Sequence, residues 1–299
     1  MQSYNLVNGN IITLNDDFPA ITSITISDGK IESINSPNSA YESKDLSGAT
    51  VIPGFIDAHF HLKNFGKRLE MLNLKGVDSI DIIKEKIQKK LKNINSDSWL
   101  LGFGWDQNLW AGKKYPTQDV LNNIAPNIPI YLTRIDGHSA WVNSAAISQS
   151  KLSINQINNI EGGKVINDCI MIDNTMNCFK NCLPSDTKDQ VKTWIKKAVY
   201  KTTKMGITGV HDAWQDSTTV DAIQELIDEE EFPIRCYGML ASNDESFLKE
   251  YFSKGHYSDE YLNIRSVKAF IDGALGSRGA ALHEPYCDDT NNCGLILIS

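Results

Sequence analysis

Two histidines separated by a single residue, His59 and His61, are the residues best suited to chemistry in this sequence. Side chains alternate along a strand, so both imidazoles would point to one face, which Asp57 shares. Two imidazole nitrogens on one face can supply a ligand pair for a divalent metal ion. A His-x-His pair also arises by chance, so ordinary histidines are the alternative at this point.

The histidines close a mostly apolar run, Thr50–His61, that contains Pro53-Gly54. Such a run is typical of a strand buried on both faces, as in a parallel sheet or a barrel. In parallel α/β folds, active sites gather at the carboxyl ends of the strands. The position of the pair at the end of this strand therefore favours a metal site.

A lysine, Lys268, lies in a second apolar run, between Val267 and Ala269. An isolated ammonium group is costly to bury, so this lysine needs a partner or a chemical modification. The simpler interpretation pairs it with a carboxylate such as that of Asp272. The alternative is a carboxylated lysine whose carbamate oxygens bind metal, and the residues alone favour the simpler interpretation.

Three further groups of residues could line a cleft. His138, in an Asp-Gly-His sequence, and the pair His211-Asp212 each follow a strand, and Trp105 with Asp106 follows Gly102-Phe103-Gly104. Trp105 could wall a pocket or pack in a core, and lone histidines of this kind are more often structural. For a small-molecule substrate, we expect contacts from Trp105, Asp106 and His138.

The elements that must position these residues begin with short strands. Asn8-Gly9 and Asp28-Gly29 each separate two strand-like runs, which predicts two hairpins. Apolar residues repeat at helical spacing between residues 79 and 94, which predicts an amphipathic helix. Residues 99–147 are rich in aromatics, glycine and proline and look like an irregular subdomain with a few short elements, one of them a strand over Pro129–Arg134.

Helices and strands alternate from Ser185 onward. The predicted strands are Ile207–Asp212, Pro233–Leu240 and Ile264–Asp272, with amphipathic helices before and between them. This alternation argues for βαβ units with parallel strands, and therefore for an α/β fold class.

The composition disfavours several classes of function. The formal net charge is -8 with a pI of about 5.3, so a nucleic-acid backbone would be repelled and nucleic acid is not an expected partner. No apolar segment is long enough to span a membrane, and no secretory signal is evident, so we expect a cytoplasmic protein without a membrane partner. The six cysteines are scattered, which favours reduced structural thiols.

Together these features resemble the amidohydrolase superfamily, in the branch called amidohydrolase family 3. Several blocks in the right order are far more specific than one His-x-His, and they cover nearly the whole chain. In chain order the blocks are Val51–His61, Gly102–Gln107, Asp136–Ser144, Gly206–Asp212 and Val267–Leu282.

The resemblance implies a TIM barrel joined to a β-sandwich that is built from both chain ends. For this chain it implies a partial TIM-barrel-like amidohydrolase fold with strands one to four, a small N-terminal β-sandwich portion and an inserted subdomain. The remaining barrel is expected to be absent. The expected units are residues 1–50 for the sandwich portion, 51–63 for barrel strand one, 64–185 for the insertion, and 186–299 for barrel strands two to four with their helices.

The resemblance also implies the chemistry. His59 and His61 would bind a divalent metal, expected to be zinc, and Lys268 matches a lysine that is carboxylated and bridges two metals in many superfamily members. Relatives hydrolyse C–N bonds in non-peptide amides, formamides and similar compounds. The metal ionises the attacking water, and an aspartate that transfers the proton is expected beyond Ser299.

One alternative is a catalytically inactive, truncated or split chain. Such a chain would need a second polypeptide, or a missing C-terminal half, to complete the barrel. A third possibility is a related deacylase that uses a cysteine in place of the bridging lysine, and Lys268 argues against it.

Overall fold

The start of the chain folds into two small sheets. The computed structural model describes residues 3–94, 98–273, 275 and 278–297. One sheet has the strand order β5-β4-β1-β6, and the other has the order β3-β2-β7. The buried Ile11, Ile21 and Ile24 form one hydrophobic cluster that joins the two sheets. The strands are β1 (Tyr4–Val7), β2 (Asn10–Ile12), β3 (Ala20–Ile21), β4 (Ile24–Ser27), β5 (Lys30–Ile34), β6 (Glu42–Asp45) and β7 (Thr50–Val51).

Of the two predicted hairpins, only the one at Asp28-Gly29 is present. Strands β4 and β5 pair in antiparallel fashion around it, and both turn residues have positive φ, 50° and 75°, as a type I′ turn requires. The prediction of a hairpin at Asn8-Gly9 is wrong, because β1 and β2 belong to different sheets. Gly9 lies so close to Leu46 that a Cβ atom would come within 2.5 Å of its Cδ1 atom. Tertiary packing therefore decides the path of the chain at this turn.

The strand that carries the histidine pair is shorter and more exposed than predicted. Strand β8 spans Phe55–Phe60, and the preceding Thr50 and Val51 belong to β7. Phe55 is 56% exposed and Ile56 is 65% exposed. Within the described part of the chain β8 pairs on one side only, so the expected burial on both faces is wrong there. Helix α1 (Leu62–Glu70) follows at once.

The middle of the chain forms a six-stranded mixed sheet with the order β13-β14-β12-β11-β10-β9. The predicted helix and the strand over 129–134 are confirmed as α2 and β11, and the expected short elements are joined in one regular sheet. All four residues of β12 are buried, so the alternation that would reveal a strand is missing. The strands are β9 (Leu72–Asn73), β10 (Leu100–Trp105), β11 (Ile130–Arg134), β12 (Ser139–Val142), β13 (Gly163–Ile166) and β14 (Ile170–Asp173). The helices are α2 (Ile80–Leu91), α3 (Gln118–Asn122), α4 (Ser144–Gln149) and α5 (Ile154–Asn158), with 3₁₀ turns at Gln107–Leu109 and Asn174–Phe179.

The last part of the chain alternates helices and strands as predicted. Its sheet has the order β17-β18-β16-β15-β8, and all neighbours pair in parallel except β17 with β18. The described residues form an open sheet and no closed barrel. The elements are α6 (Lys188–Thr203), β15 (Ile207–Gln215), α7 (Ser217–Asp228), β16 (Arg235–Ala241), α8 (Glu245–Lys254), β17 (Tyr257–Ser258) and β18 (Leu262–Lys268).

Helices α1, α6 and α7 cover one face of this parallel sheet. Their buried side chains share one core with those of β15, β16 and β18, for example Leu62, Trp194, Val210 and Leu240. Helix α1 therefore packs with this unit, although most of its residues fall within the range 64–185 that is expected to form the insertion. No helix in the described ranges is both long and apolar enough to cross a membrane.

Candidate metal centre

His59 and His61 lie together at the carboxyl end of β8. His59 is in the strand, and His61 occupies the position just before α1, with φ -139° and ψ 83°. Their ring centroids are 5.3 Å apart and the ring planes meet at 80°. The strand thus ends between the two histidines, and their rings stay within reach of one small ligand.

The His61 ring has an unsatisfied nitrogen. Its Nδ1 atom is buried and has no hydrogen-bond partner among the described residues. Burial lowers the pKa of His61, and the neighbouring His59 and Lys268 lower it further. A buried polar atom normally has a partner, and a neutral imidazole is the form that binds a metal ion. Both properties fit a metal ligand.

Lys268 is the last residue of β18, opposite Ala241 of β16. Because β8 and β18 run in the same direction in one sheet, Lys268 lies at the same edge of the sheet as the histidines. Its Nζ atom lies 5.1 Å from the centre of the Phe270 ring. The simpler interpretation, an ion pair with Asp272, is wrong for the described structure, where Asp272 instead accepts a hydrogen bond from the Ala281 N–H at 3.0 Å.

This edge supplies two imidazoles and an amine. Across the described ranges, no group of three or more His, Cys, Asp or Glu side chains is arranged to hold a metal ion. Zinc in proteins is usually four-coordinate. The two histidines therefore leave at least two positions to other donors, for which a lysine carbamate and water are suitable.

Asp212 of β15 lies opposite Phe60 of β8, the residue between the two histidines. It is 1% exposed, and its carboxylate accepts hydrogen bonds from the Leu62 N–H at 3.1 Å and the Gln215 side-chain amide at 3.0 Å. Burial raises the pKa of Asp212 to about 7, although those two hydrogen bonds lower it. The ring of its neighbour His211 packs against Tyr237 at an angle of 54°, with ring centroids 5.2 Å apart. The sequence left open whether the pair His211-Asp212 lines a cleft, and it contains no signal for the contact between Asp212 and Leu62.

Ion pairs that the sequence did not reveal hold α1 in place. Lys63 contacts Asp216, and its Nζ atom is 3.7 Å from the Asp186 carboxylate, which also pairs with Lys67 at 2.5 Å. Asp216 is the N-cap of α7 and accepts a hydrogen bond from the Thr219 N–H at 2.9 Å. The helix that follows His61 is therefore tied to α7 and to the segment before α6.

The three candidate substrate residues lie in the middle unit. Asp106 pairs with Arg134 at 3.1 Å, and the His138 Nδ1 atom is 3.0 Å from the Asp173 carboxylate. Trp105 is fully buried, and its indole N–H donates to the Leu132 carbonyl at 2.7 Å. The structure therefore gives Trp105 a packing role, and substrate contact by Asp106 and His138 stays a prediction.

Trp105→Ala is expected to lower the free energy of unfolding by about 3–5 kcal/mol, because it opens a cavity between Trp110 and Trp141, which pack against its ring. Urea unfolding followed by circular dichroism measures this loss. Leu109→Ala is the matched control: Leu109 is 49% exposed, so its loss should stay within about 0.5 kcal/mol. Equal stability of the two variants would contradict the core role of Trp105.

Comparisons with known proteins agree with this architecture. The family model described as "Amidohydrolase family" matches residues 42–297. A solved structure described as an uncharacterized metal-dependent hydrolase from Pyrococcus horikoshii OT3 superimposes with a TM-score of 0.81 at 26% identity. That superposition covers 100% of this chain and 60% of the other.

Two curated relatives match most of the chain. The putative amidohydrolase YtcJ of Bacillus subtilis (strain 168) is 29% identical over 85% of this chain and 49% of its own length. The protein LONG AFTER FAR-RED 3 of Arabidopsis thaliana is 28% identical over 97% of this chain and 54% of its own length. The chain thus spans about half the length of these relatives. Because the family model matches most of the chain, the protein belongs to the amidohydrolase family, in its family 3 branch.

Proposed function

We propose that this chain supplies the first ligands of a metal-dependent hydrolase that cleaves a C–N bond in a small non-peptide amide or formamide. The observation that carries the proposal is the meeting of His59, His61 and Lys268 at one edge of a parallel sheet. Membership of the amidohydrolase family supports the reaction type. The solved relative described as a metal-dependent hydrolase supports the use of a metal. The comparisons give no support to the inactive, partner-dependent alternative.

His59 and His61 would hold the metal through their imidazole nitrogens, and zinc is among the ions that such ligands suit. The unpartnered Nδ1 atom of His61 and the lowered pKa of its ring suit this role. When bound, the metal supplies an activated water and a Lewis acid for the substrate carbonyl.

Lys268 would act as a carbamate. A neutral lysine amine adds to carbon dioxide and releases one proton, which leaves an anionic group with two oxygen donors. Phe270 lies beside the amine and packs against Trp214, with ring centroids 5.0 Å apart, so one side of Lys268 is apolar. An ammonium facing two imidazoles and a cation is repelled, whereas a carbamate is attracted.

Substrate contacts from Asp106 and His138 remain part of the proposal. Both side chains carry polar atoms at or near the surface of the middle unit, and each is held by one charged neighbour.

The test measures metal content and hydrolysis in the whole protein with N-substituted formamides and simple amides. Turnover is expected to disappear with a chelator and return with Zn²⁺. Lys268→Ala is expected to lower turnover by more than about 100-fold, with partial rescue by short carboxylic acids. Lys249→Ala, at an exposed lysine paired with Glu245, is the control and should behave as the unchanged protein.

Full metal content and turnover in Lys268→Ala, without any added acid, would contradict the proposed role of this lysine. Turnover that resists exhaustive metal removal would contradict the proposed function as a whole.

A further inference from the structure

Asp212 and the Leu62 N–H form a buried polar contact next to the histidine pair, and the proposed chemistry does not use it. We propose that Asp212 is a positioning residue, which fixes the turn that carries His61 in the conformation that binds metal. This inference rests on the proposed metal role of His61. It concerns the backbone between strand β8 and helix α1.

The first step is that α1 lacks a cap of its own. His61 stands at the position where a side chain usually accepts a hydrogen bond from the first turn, and its side chain accepts none. The Leu62 N–H instead donates to the Asp212 carboxylate at 3.1 Å, from a residue 150 positions away. Since Leu62 is fully buried, water cannot replace this bond. Asp212 therefore satisfies the donor that directly follows His61.

The second step is that the strand pairing places Asp212 at this point. Asp212 of β15 lies opposite Phe60 of β8, one residue before His61. The register of β15 with β16 shifts between Asp212 and Gln215. In a regular strand, residues three apart face opposite sides, whereas this irregularity lets both side chains meet.

The third step is that Gln215 fixes the second oxygen of Asp212. The Gln215 amide donates to it at 3.0 Å and is itself fully buried. Gly238 makes room for Gln215, because a Cβ atom there would lie 2.1 Å from its Oε1 atom. The carboxylate is held at both oxygens and has little freedom to rotate.

The consequence concerns the His61 ring. The peptide between His61 and Leu62 is fixed by Asp212, so the backbone angles that aim the ring are fixed as well. Metal ligands must be held to within about half an ångström of their productive positions. Asp212 cannot itself touch substrate, because it is 1% exposed and is held among buried groups.

The experiment compares Asp212→Leu, Asp212→Asn and Asp216→Asn. Asp212→Leu removes the acceptor and is expected to lower Zn²⁺ affinity by about 10–100-fold, although both histidines remain. Asp212→Asn keeps an acceptor for the Leu62 N–H and is expected to keep most of the affinity. Asp216→Asn is the control, because Asp216 contacts Lys63 of α1 and caps α7 without accepting a hydrogen bond from the Leu62 N–H. This variant should be less stable than the unchanged protein but should bind Zn²⁺ with the same affinity. Calorimetric titration with Zn²⁺ gives the affinities.

Two measurements do not depend on metal. The Leu62 amide of the unchanged protein is expected to exchange slowly with solvent deuterium. The ring resonances of His61, observed with ¹⁵N-labelled histidine, are expected to move in Asp212→Leu but not in Asp216→Asn. Rapid exchange of the Leu62 amide would overturn the inference. Unmoved His61 resonances in a folded Asp212→Leu variant would overturn it as well. If that variant does not fold, the exchange measurement on the unchanged protein decides.

His61→Ala separates the two proposals. If His61→Ala loses Zn²⁺ while folded Asp212→Leu binds it with unchanged affinity, the positioning role is refuted and the proposed function stands. If His61→Ala binds Zn²⁺ as the unchanged protein does, the proposed metal role fails, and the ring resonances still decide whether Asp212 sets the turn.

Discussion

Gly66→Ala is expected to destabilise the protein by more than about 3 kcal/mol, or to prevent folding. Gly66 lies in α1 where this helix crosses α6, and a Cβ atom there would lie 1.9 Å from the carbonyl oxygen of Trp194. That oxygen belongs to the backbone of another helix, so the clash is not relieved by a side-chain rotation. The helices must separate, and the core around Leu62 and Val191 opens with them.

The sign of the effect makes this a sharp test. In an exposed helix, replacing glycine by alanine stabilises by about 1 kcal/mol, because alanine has the higher helix propensity. Urea unfolding of Gly66→Ala therefore distinguishes close helix packing from an ordinary helix position. Asn64→Ala, at an exposed site of the same helix, is the control and should change the free energy of unfolding by no more than about 0.5 kcal/mol. A Gly66→Ala variant more stable than the unchanged protein would show that α1 and α6 are not packed as described.

His61→Ala is expected to lower Zn²⁺ affinity by more than about 100-fold. His61 is the histidine of the pair with a buried, unpartnered ring nitrogen, and its surroundings lower its pKa and so favour the neutral ring. Competition with a chromophoric zinc chelator measures the affinity. The free energy of unfolding without metal should change little, because the Nδ1 atom of this ring has no hydrogen bond to lose.

His256→Ala is the matched control for this substitution. His256 is an exposed histidine between α8 and β17, remote in sequence from the pair. Its replacement should leave Zn²⁺ affinity unchanged. Equal losses in both variants would indicate adventitious binding by surface histidines, and the candidate metal centre would then be wrong.

Local patterns in the sequence were enough to predict several elements. The spacing of apolar residues predicted α2, and the Asp28-Gly29 turn predicted the hairpin between β4 and β5. The alternation of helices and strands after Ser185 predicted the parallel sheet. These features depend on neighbours within a few residues, where periodicity and turn chemistry act directly. The same local evidence placed His59 and His61 at the end of a strand.

Contacts between distant parts of the chain decided the rest. The sequence could not show that Trp105 is enclosed by other tryptophans, because Trp141 comes from a different strand. The turn at Asn8-Gly9 has a hairpin sequence, but pairing with other strands separates β1 from β2.

The histidine pair likewise depends partly on local sequence and partly on contacts between distant residues. Its two residues and their spacing are evident in the sequence, whereas the orientation of His61 depends on Asp212, which is joined to Leu62 across 150 residues. Local sequence sets which conformations a segment favours. Burial and pairing with remote segments decide which of them is kept, because a buried donor or acceptor is stable only where the fold brings it a partner.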